Sequence, residues 1–280
     1  MNNDWTTIIL PNRKWYDLNL KELVKYRDLV FMFVKRSFTS QYKQTILGPL
    51  WFVINPLLTS FISTVVFSGI AGIETDGVPY FLYYMCGYTL WNYFASCVTQ
   101  TSNTFVANAG IMGKVYFPRL TMPIASVIFA ALNMLICFVM TIISMIIFGL
   151  KGVRFNISIS VLLIPVLMIQ TAVLGLAVGI IISSLTTKYR DLAVLTGFGI
   201  NLWMYATPIV YPLSSISGKL RTVILINPMT AIINNFHYAM LGIGEFEKIP
   251  WLISVIVTLV LLIFGMVIFN KVEKTFMDTV

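Results

Sequence analysis

Charge is scarce in this sequence. Asp, Glu, Lys and Arg make up 11% of its 280 residues, against about a quarter in a soluble domain. No charged residue occurs from Phe155 to Thr187 or from Leu192 to Gly218. Each run exceeds the ~20 residues a helix needs to cross ~30 Å of hydrocarbon. A soluble fold is excluded. The apolar runs are continuous and do not alternate every second residue, so helices are expected and not a barrel. A nucleotide-binding loop is also missing: no GxxxxGK[ST] occurs, so the chain is not expected to bind ATP. Histidine occurs once. No metal cluster or Ser/His/Asp spacing surrounds His237, which reads as structural or interfacial. An integral-membrane glycosyl- or acyltransferase would have to depend on it or on an outer acid. Glu74, Asp76, Glu245 and Glu247 form no convincing site, so neither an enzyme nor a metal centre is expected. The three cysteines, Cys86, Cys97 and Cys137, sit in apolar runs without metal spacing and read as packing residues. The polar N-terminus, with one short apolar triplet at 8–10, lacks the h-region of a cleavable signal.

What is present is apolar sequence, 58% of the chain, cut by short polar turns. Residues 1–44 are polar and basic. Within them, Asn19 and Glu22 have capping-box spacing, and Leu20, Leu23, Arg27, Val30 and Val34 fall near one side of a helix. That pattern predicts an amphipathic helix over 20–36, lying on the membrane surface or packed on a partner. Residues 45–280 form a membrane domain with spans near 47–72, 79–106, 118–150, 157–185, 192–211 and 251–269. Pro56 is expected to kink the first. Gly175 and Gly179, one turn apart, allow close packing of the fourth. With the N-terminus inside, 14 of the 19 Lys and Arg residues face the cytoplasm, as the positive-inside rule requires. Segment 222–244 carries no charge yet contains Asn227-Pro228, Asn234, Asn235 and His237. A seventh span there would send Lys271 and Lys274 outside, so a re-entrant helix pair shielded by protein is predicted. The expected fold is therefore all-α and integral to the membrane. It has six transmembrane helices, an N-terminal interface helix and re-entrant helices before the last span, with both termini cytoplasmic.

The middles of the spans carry no acid or base, which argues against ion coupling. Uphill transport would need a second protein pushing on the cytoplasmic turns. The smallest such turn is 186–191, TTKYRD, tightly flanked by two spans. Tyr84, Tyr88 and Trp91 share one helix face at i, i+4, i+7, and Trp203, Tyr205 and Tyr211 approach the same outer leaflet. These rings are either an interfacial aromatic belt or flat platforms for sliding sugar rings. Lys114, Arg119, Lys188 and Arg190 form an inner basic rim. It is either topological charge or a clamp for a lipid-linked phosphate or diphosphate.

The segments TILGPLWFVINPLLT, NAGIMGKVYFPRLTMPIASV, TTKYRDLAVL with NLWMYATPIVYP, and INPMTAIINNFHYAMLG follow one another in an order that resembles the permease subunits of ABC-2 polysaccharide exporters, which move O-antigen, teichoic acid or capsule chains. The likeness runs from about residue 45 to near the end. It implies a homodimer of six-span permeases joined to two nucleotide-binding ATPase subunits that bind the ATP and Mg; this chain itself carries no cofactor. It also implies a glycan on undecaprenyl diphosphate, threaded through a channel at the dimer interface of the bacterial inner membrane. Thr187, Lys188, Tyr189, Arg190 and Asp191 would then meet the ATPase, together with the N-terminal segment. Two alternatives stay open: an ABC-2 exporter of a small lipophilic compound, and a membrane scaffold or scramblase without ATP coupling. No nucleic-acid partner is expected, because the basic residues cluster beside spans.

Overall fold

A computed structural model describes residues 24–43, 46–112, 117–156, 158–186, 189 and 191–279. Among them the chain folds into helices without strands: α1 (Arg27–Tyr42), α2 (Trp51–Ser63), α3 (Tyr80–Ser102), α4 (Thr104–Met112), α5 (Thr121–Leu150), α6 (Ile164–Thr186), α7 (Leu192–Tyr205), α8 (Gly218–Ile226), α9 (Pro228–Leu241) and α10 (Lys248–Thr279). A single 3-10 turn, Gly48–Leu50, leads into α2, and a π-helical run, Thr64–Ile70, prolongs it. Pro56 sits inside α2.

Four stretches are long and apolar enough to cross a bilayer: Gly48–Ile70, Thr121–Leu150, Ile159–Thr186 and Lys248–Val272. The other two predicted spans differ for separate reasons. Helix α3 has 23 residues, about 34 Å at 1.5 Å per residue, but it is rich in Tyr and Thr and carries Asn92. It lies at the centre of the bundle, flanked by α2, α5, α6 and α9, and most of its residues are buried. Helix α7 has 14 residues and stops at Tyr205, short of the predicted 211. Pro208 disfavours helix at the residue before it, and the chain runs on irregularly through 206–212. The predicted second span is also cut short. Asn103 takes a non-helical turn, its amide donating back to the Thr99 carbonyl at 3.1 Å, and α4 starts afresh at Thr104.

Apolar side chains gain little from leaving lipid for one another, so membrane helices associate through close packing and interhelical hydrogen bonds. Both devices are visible. Gly175 and Gly179 of α6 lie against Cys97 and Thr101 of α3, so close that a Cβ would stand 2.6 and 2.5 Å from theirs. On the other flank of α6, Gly265 of α10 approaches the Ala177 carbonyl. Thr89 and Thr141 hydroxyls meet at 3.1 Å between α3 and α5. Gln170 of α6 donates to Ser254 at 2.9 Å and accepts from the Trp251 indole at 2.8 Å. Ser254 in turn donates to the Pro228 carbonyl, tying α6, α10 and α9 together. The outward sides of α2, α5 and α10 expose Leu, Ile, Val and Phe.

Segment 222–244 breaks where the sequence predicted. Asn227 caps α9, its side chain accepting from Met229 N at 3.0 Å, and Pro228 takes the first helical position, where its missing N–H costs nothing. Helices α8 and α9 have 9 and 14 residues, about 14 and 21 Å, and neither reaches across ~30 Å of hydrocarbon. Gly242 ends α9 at φ +70°, a left-handed cap. The Arg221 guanidinium meets Glu247 at 2.9 Å, so the segment leaves and returns at one end of the bundle.

Helix α1 overlaps the predicted 20–36 helix from Arg27 onward. Residues 1–23, with Leu20, Leu23 and the Asn19/Glu22 pair, lie outside the described residues. Val30 and Phe33 are buried with Phe105, Phe117, Met122 and Phe269, while Phe31 and Met32 are exposed on the far side.

Candidate functional site

The centre of the arrangement is the irregular strip 206–212, ATPIVYP, which is mostly buried between the start of α3 and the ends of α7 and α9. Its carbonyls have no helix to satisfy them, so side chains do. Tyr80 donates to Val210 O at 2.8 Å, and the Tyr83 hydroxyl meets Pro208 O at 3.1 Å and Tyr211 O at 3.0 Å. Asn227 closes the other side: its amide donates to Ala206 O at 3.2 Å and Thr207 Oγ1 at 2.9 Å, and its oxygen accepts from Trp203 Nε1 at 3.0 Å. The predicted platform residue Trp203 is thus fixed by Asn227. The Tyr211 hydroxyl donates to Tyr205 O at 2.9 Å. Removing one hydroxyl from this clamp is expected to matter. Tyr83→Phe leaves two carbonyls short of a donor and should cost about 1–3 kcal/mol, read as a lower melting temperature of the purified protein with unchanged helix content.

Beside the clamp lies a polar mouth of about 250 Å³. Asp76 accepts from Ser214 at 2.9 Å on both carboxylate oxygens, the Arg221–Glu247 pair stands opposite, and Asn234 donates to Glu245 O at 3.1 Å. His237 forms the floor. It is buried, stacked on Tyr83 with ring centroids 4.2 Å apart, and its Nε2 lies 3.0 Å from Tyr83 O. A carbonyl only accepts, so Nε2 carries the proton. Gly87 leaves room for that ring, since a Cβ there would stand 3.0 Å from Nε2. The histidine is held as a wedge between α3 and α9.

The predicted aromatic face divides in two. Tyr84 stacks on Tyr80 at 6.3 Å and on Tyr88 at 5.7 Å, and Phe67 adds a fourth ring above Tyr80 at 6.4 Å. This column is enclosed between α3 and α2, with Tyr84 buried and Tyr88 half-buried. Trp91 joins a separate group through Phe94, at 5.5 Å, whose edge meets Trp203 at 5.1 Å. Tyr205 is exposed. The i, i+4, i+7 spacing gives the common side of the helix but not what covers it.

At the opposite end, Thr186 Oγ1 contacts Ser102 O and Ser183 O, both at 3.0 Å. The last residue of α6 is therefore pinned to the break between α3 and α4. Tyr189 and Asp191 are exposed and Arg119 is half-buried. Lys114, Thr187, Lys188 and Arg190 lie outside the described residues. Sequence reasoning passed over a cleft of about 510 Å³ at this end, bordered by Arg36 and Ser40 of α1, Gln100, Asn103 and Asn108. It passed over Asn227 as a bonding centre as well. The Asn-Pro dipeptide announced a helix start, and the partners some twenty residues earlier were not readable.

A family model described as ABC-2 type transporter matches residues 28–241. An O-antigen export system permease protein RfbA of Klebsiella pneumoniae is 30% identical over 253 residues, spanning 90% of this chain and 94% of that protein. A protein of the same name from Myxococcus xanthus is 25% identical over 263 residues, spanning 93% and 98%.

Proposed function

The chain belongs to the ABC-2 type transporter family, and we propose that it is the permease subunit of an ATP-driven exporter moving an O-antigen-like polysaccharide, linked to undecaprenyl diphosphate, across the bacterial inner membrane. The observation that carries this reading is the near end-to-end likeness to permeases named for O-antigen export. Two copies of the chain form the conduit. A separate nucleotide-binding subunit binds ATP and Mg and hydrolyses the ATP. It meets the end of the bundle that holds α1, α4 and the 186–191 turn, and the Thr186–Ser102 contact supports a path from that turn into α3. Lys114, Arg119, Lys188 and Arg190 hold the diphosphate, and the aromatics Tyr84, Tyr88, Trp91, Trp203 and Tyr205 border the glycan path.

In the membrane the chain has six spans, with α3 and α7 added to the four long apolar stretches. Helix α3 is tolerated because its neighbours cover it. Helices α8 and α9 are re-entrant from the outside, α1 lies at the inner interface, and both termini are cytoplasmic. The Arg221–Glu247 pair supports the re-entrant reading. Deleting the chain should abolish surface polysaccharide while lipid-linked glycan accumulates inside, and tagged chain should bring down an ATPase. Unchanged surface glycan, or export of a small lipophilic compound in its place, would overturn the proposal. Topology is read separately. With Cys86, Cys97 and Cys137 replaced, single cysteines at Gly218, Glu247 and Lys271 are exposed to an impermeant thiol reagent on intact cells. Labelling is expected at the first two positions only; labelling of Gly218 and Lys271 without Glu247 means seven spans.

A further inference from the structure

Three helices bring side-chain amides into one cleft that runs inward from the α1 end of the bundle. Asn55 stands on α2, Asn92 on α3 and Asn133 on α5, with Trp51 on the wall and Gln41 of α1 at the rim; the cleft encloses about 270 Å³. Asn92 and Asn133 each lie about 18 Å along their helices, close to the middle. Among the described residues, no acid or base lines the cleft. Among the described residues, the side chains of Asn55, Asn92 and Gln41 have no hydrogen-bond partner, and Asn133 receives only a 3.8 Å contact from the Cys137 thiol. A lone amide at hydrocarbon depth is costly. The same bundle shows how a structural amide is treated, since Gln170 spends both ends on Ser254 and Trp251. Asn92 and Asn133 are half-buried, recessed in a concavity and not raised on a ridge that a flat neighbour would cover.

We propose that this cleft is a subsite for one neutral sugar ring. Each amide both donates and accepts, which matches hydroxyls, and the half-exposed Trp51 indole offers a flat apolar face. The absence of charged lining residues disfavours a phosphate, a carboxylate or a cation. The volume is below the ~300–1,000 Å³ of pockets for drug-sized ligands, so a single ring fits. The α1 rim opens it toward the end of the bundle that carries α4. The role of the subsite rests on the polysaccharide-export reading; its chemistry does not.

The test uses the full-length chain in an amine-oxide detergent, which has no sugar headgroup, and a diazirine-bearing alkyl glucoside as the photoprobe. Label is expected on the peptides holding 51–55 and 92. It is competed by octyl glucoside and not by a phosphocholine detergent of equal chain length. Asn55→Leu and the double variant N92L/N133L should each reduce labelling about five-fold or more. Asn55 is exposed, so its variant keeps the test decisive if the double variant misfolds. Equal competition by phosphocholine, or unchanged labelling in Asn55→Leu, overturns the subsite. If the amides instead join two copies, N92L/N133L halves the particle mass in light scattering and the glucoside does not compete, which overturns it too. Unchanged surface glycan after deletion of the chain, with labelling of the purified protein intact, would sink the export reading and leave the subsite standing.

Discussion

Asn227→Leu is expected to lower the melting temperature of the purified protein by roughly 10 °C, equivalent to about 3–5 kcal/mol. One side chain here serves four groups. It caps α9 through Met229 N, accepts from the Trp203 indole, and donates to Ala206 O and Thr207 Oγ1. Losing an N-cap costs about 1 kcal/mol, and the Trp203 indole and the Ala206 carbonyl, each deprived of this partner, add about 1 kcal/mol or more apiece. Leucine keeps the number of side-chain heavy atoms and the branch point, so the loss is chiefly one of hydrogen bonding. Asn227→Asp retains the acceptor for Met229 and Trp203 and gives up the two donations, so it should fall near the middle. A leucine variant that melts within about 2 °C of the unaltered protein would show that the strip 206–212 is held by something else.

The second large effect is at Gly179. A Cβ there would stand 2.5 Å from Thr101 Cβ, 2.9 Å from its Cγ2 and 3.3 Å from the Cys97 carbonyl. Neither helix can retreat freely. Behind α6, the backbone of α10 approaches at Gly265, and α3 is enclosed by four neighbours. Gly179→Leu should therefore cost about 3 kcal/mol or more and leave little extractable folded protein in a fluorescence-detected gel-filtration assay. Gly197→Leu on α7 is the control, because nothing stands within 4 Å of its added Cβ. Equal elution profiles for the two variants would mean that α6 does not pack on α3 as described.

Features that depend on one local stretch are legible in the amino-acid sequence. Charge-free runs mark the long helices, Asn227-Pro228 marks the break between α8 and α9, and the spacing of Gly175 and Gly179 marks a contact face. What escapes depends on partners far along the chain. Tyr83 is satisfied by carbonyls some 125 residues away, and nothing near it says that 206–212 will be irregular. Asn92 and Asn133 are isolated amides in separate apolar stretches, with no spacing to connect them. Tyr84 and Trp91 can be placed on a common side, but burial inside one protomer depends on where α2 and α7 lie. The stop of α7 at Tyr205 is missed because the charge-free, apolar run continues past it, and Pro208 outweighs that run.

The composition of α3 also constrains how the protein is made. A helix delivered to the membrane alone is accepted according to how well its own side chains suit hydrocarbon, and α3 is not among the four stretches that meet that standard. Its tyrosines, asparagine and threonines become tolerable only once neighbouring helices cover them, and α5 and α6 are synthesised after it. On the six-span reading proposed above, the nascent α3 is expected to enter the bilayer stably only when at least one later helix arrives to cover it. Chains truncated before α5 would then leave α3 outside the bilayer, and the centre of the finished bundle would settle after a helix made later than itself.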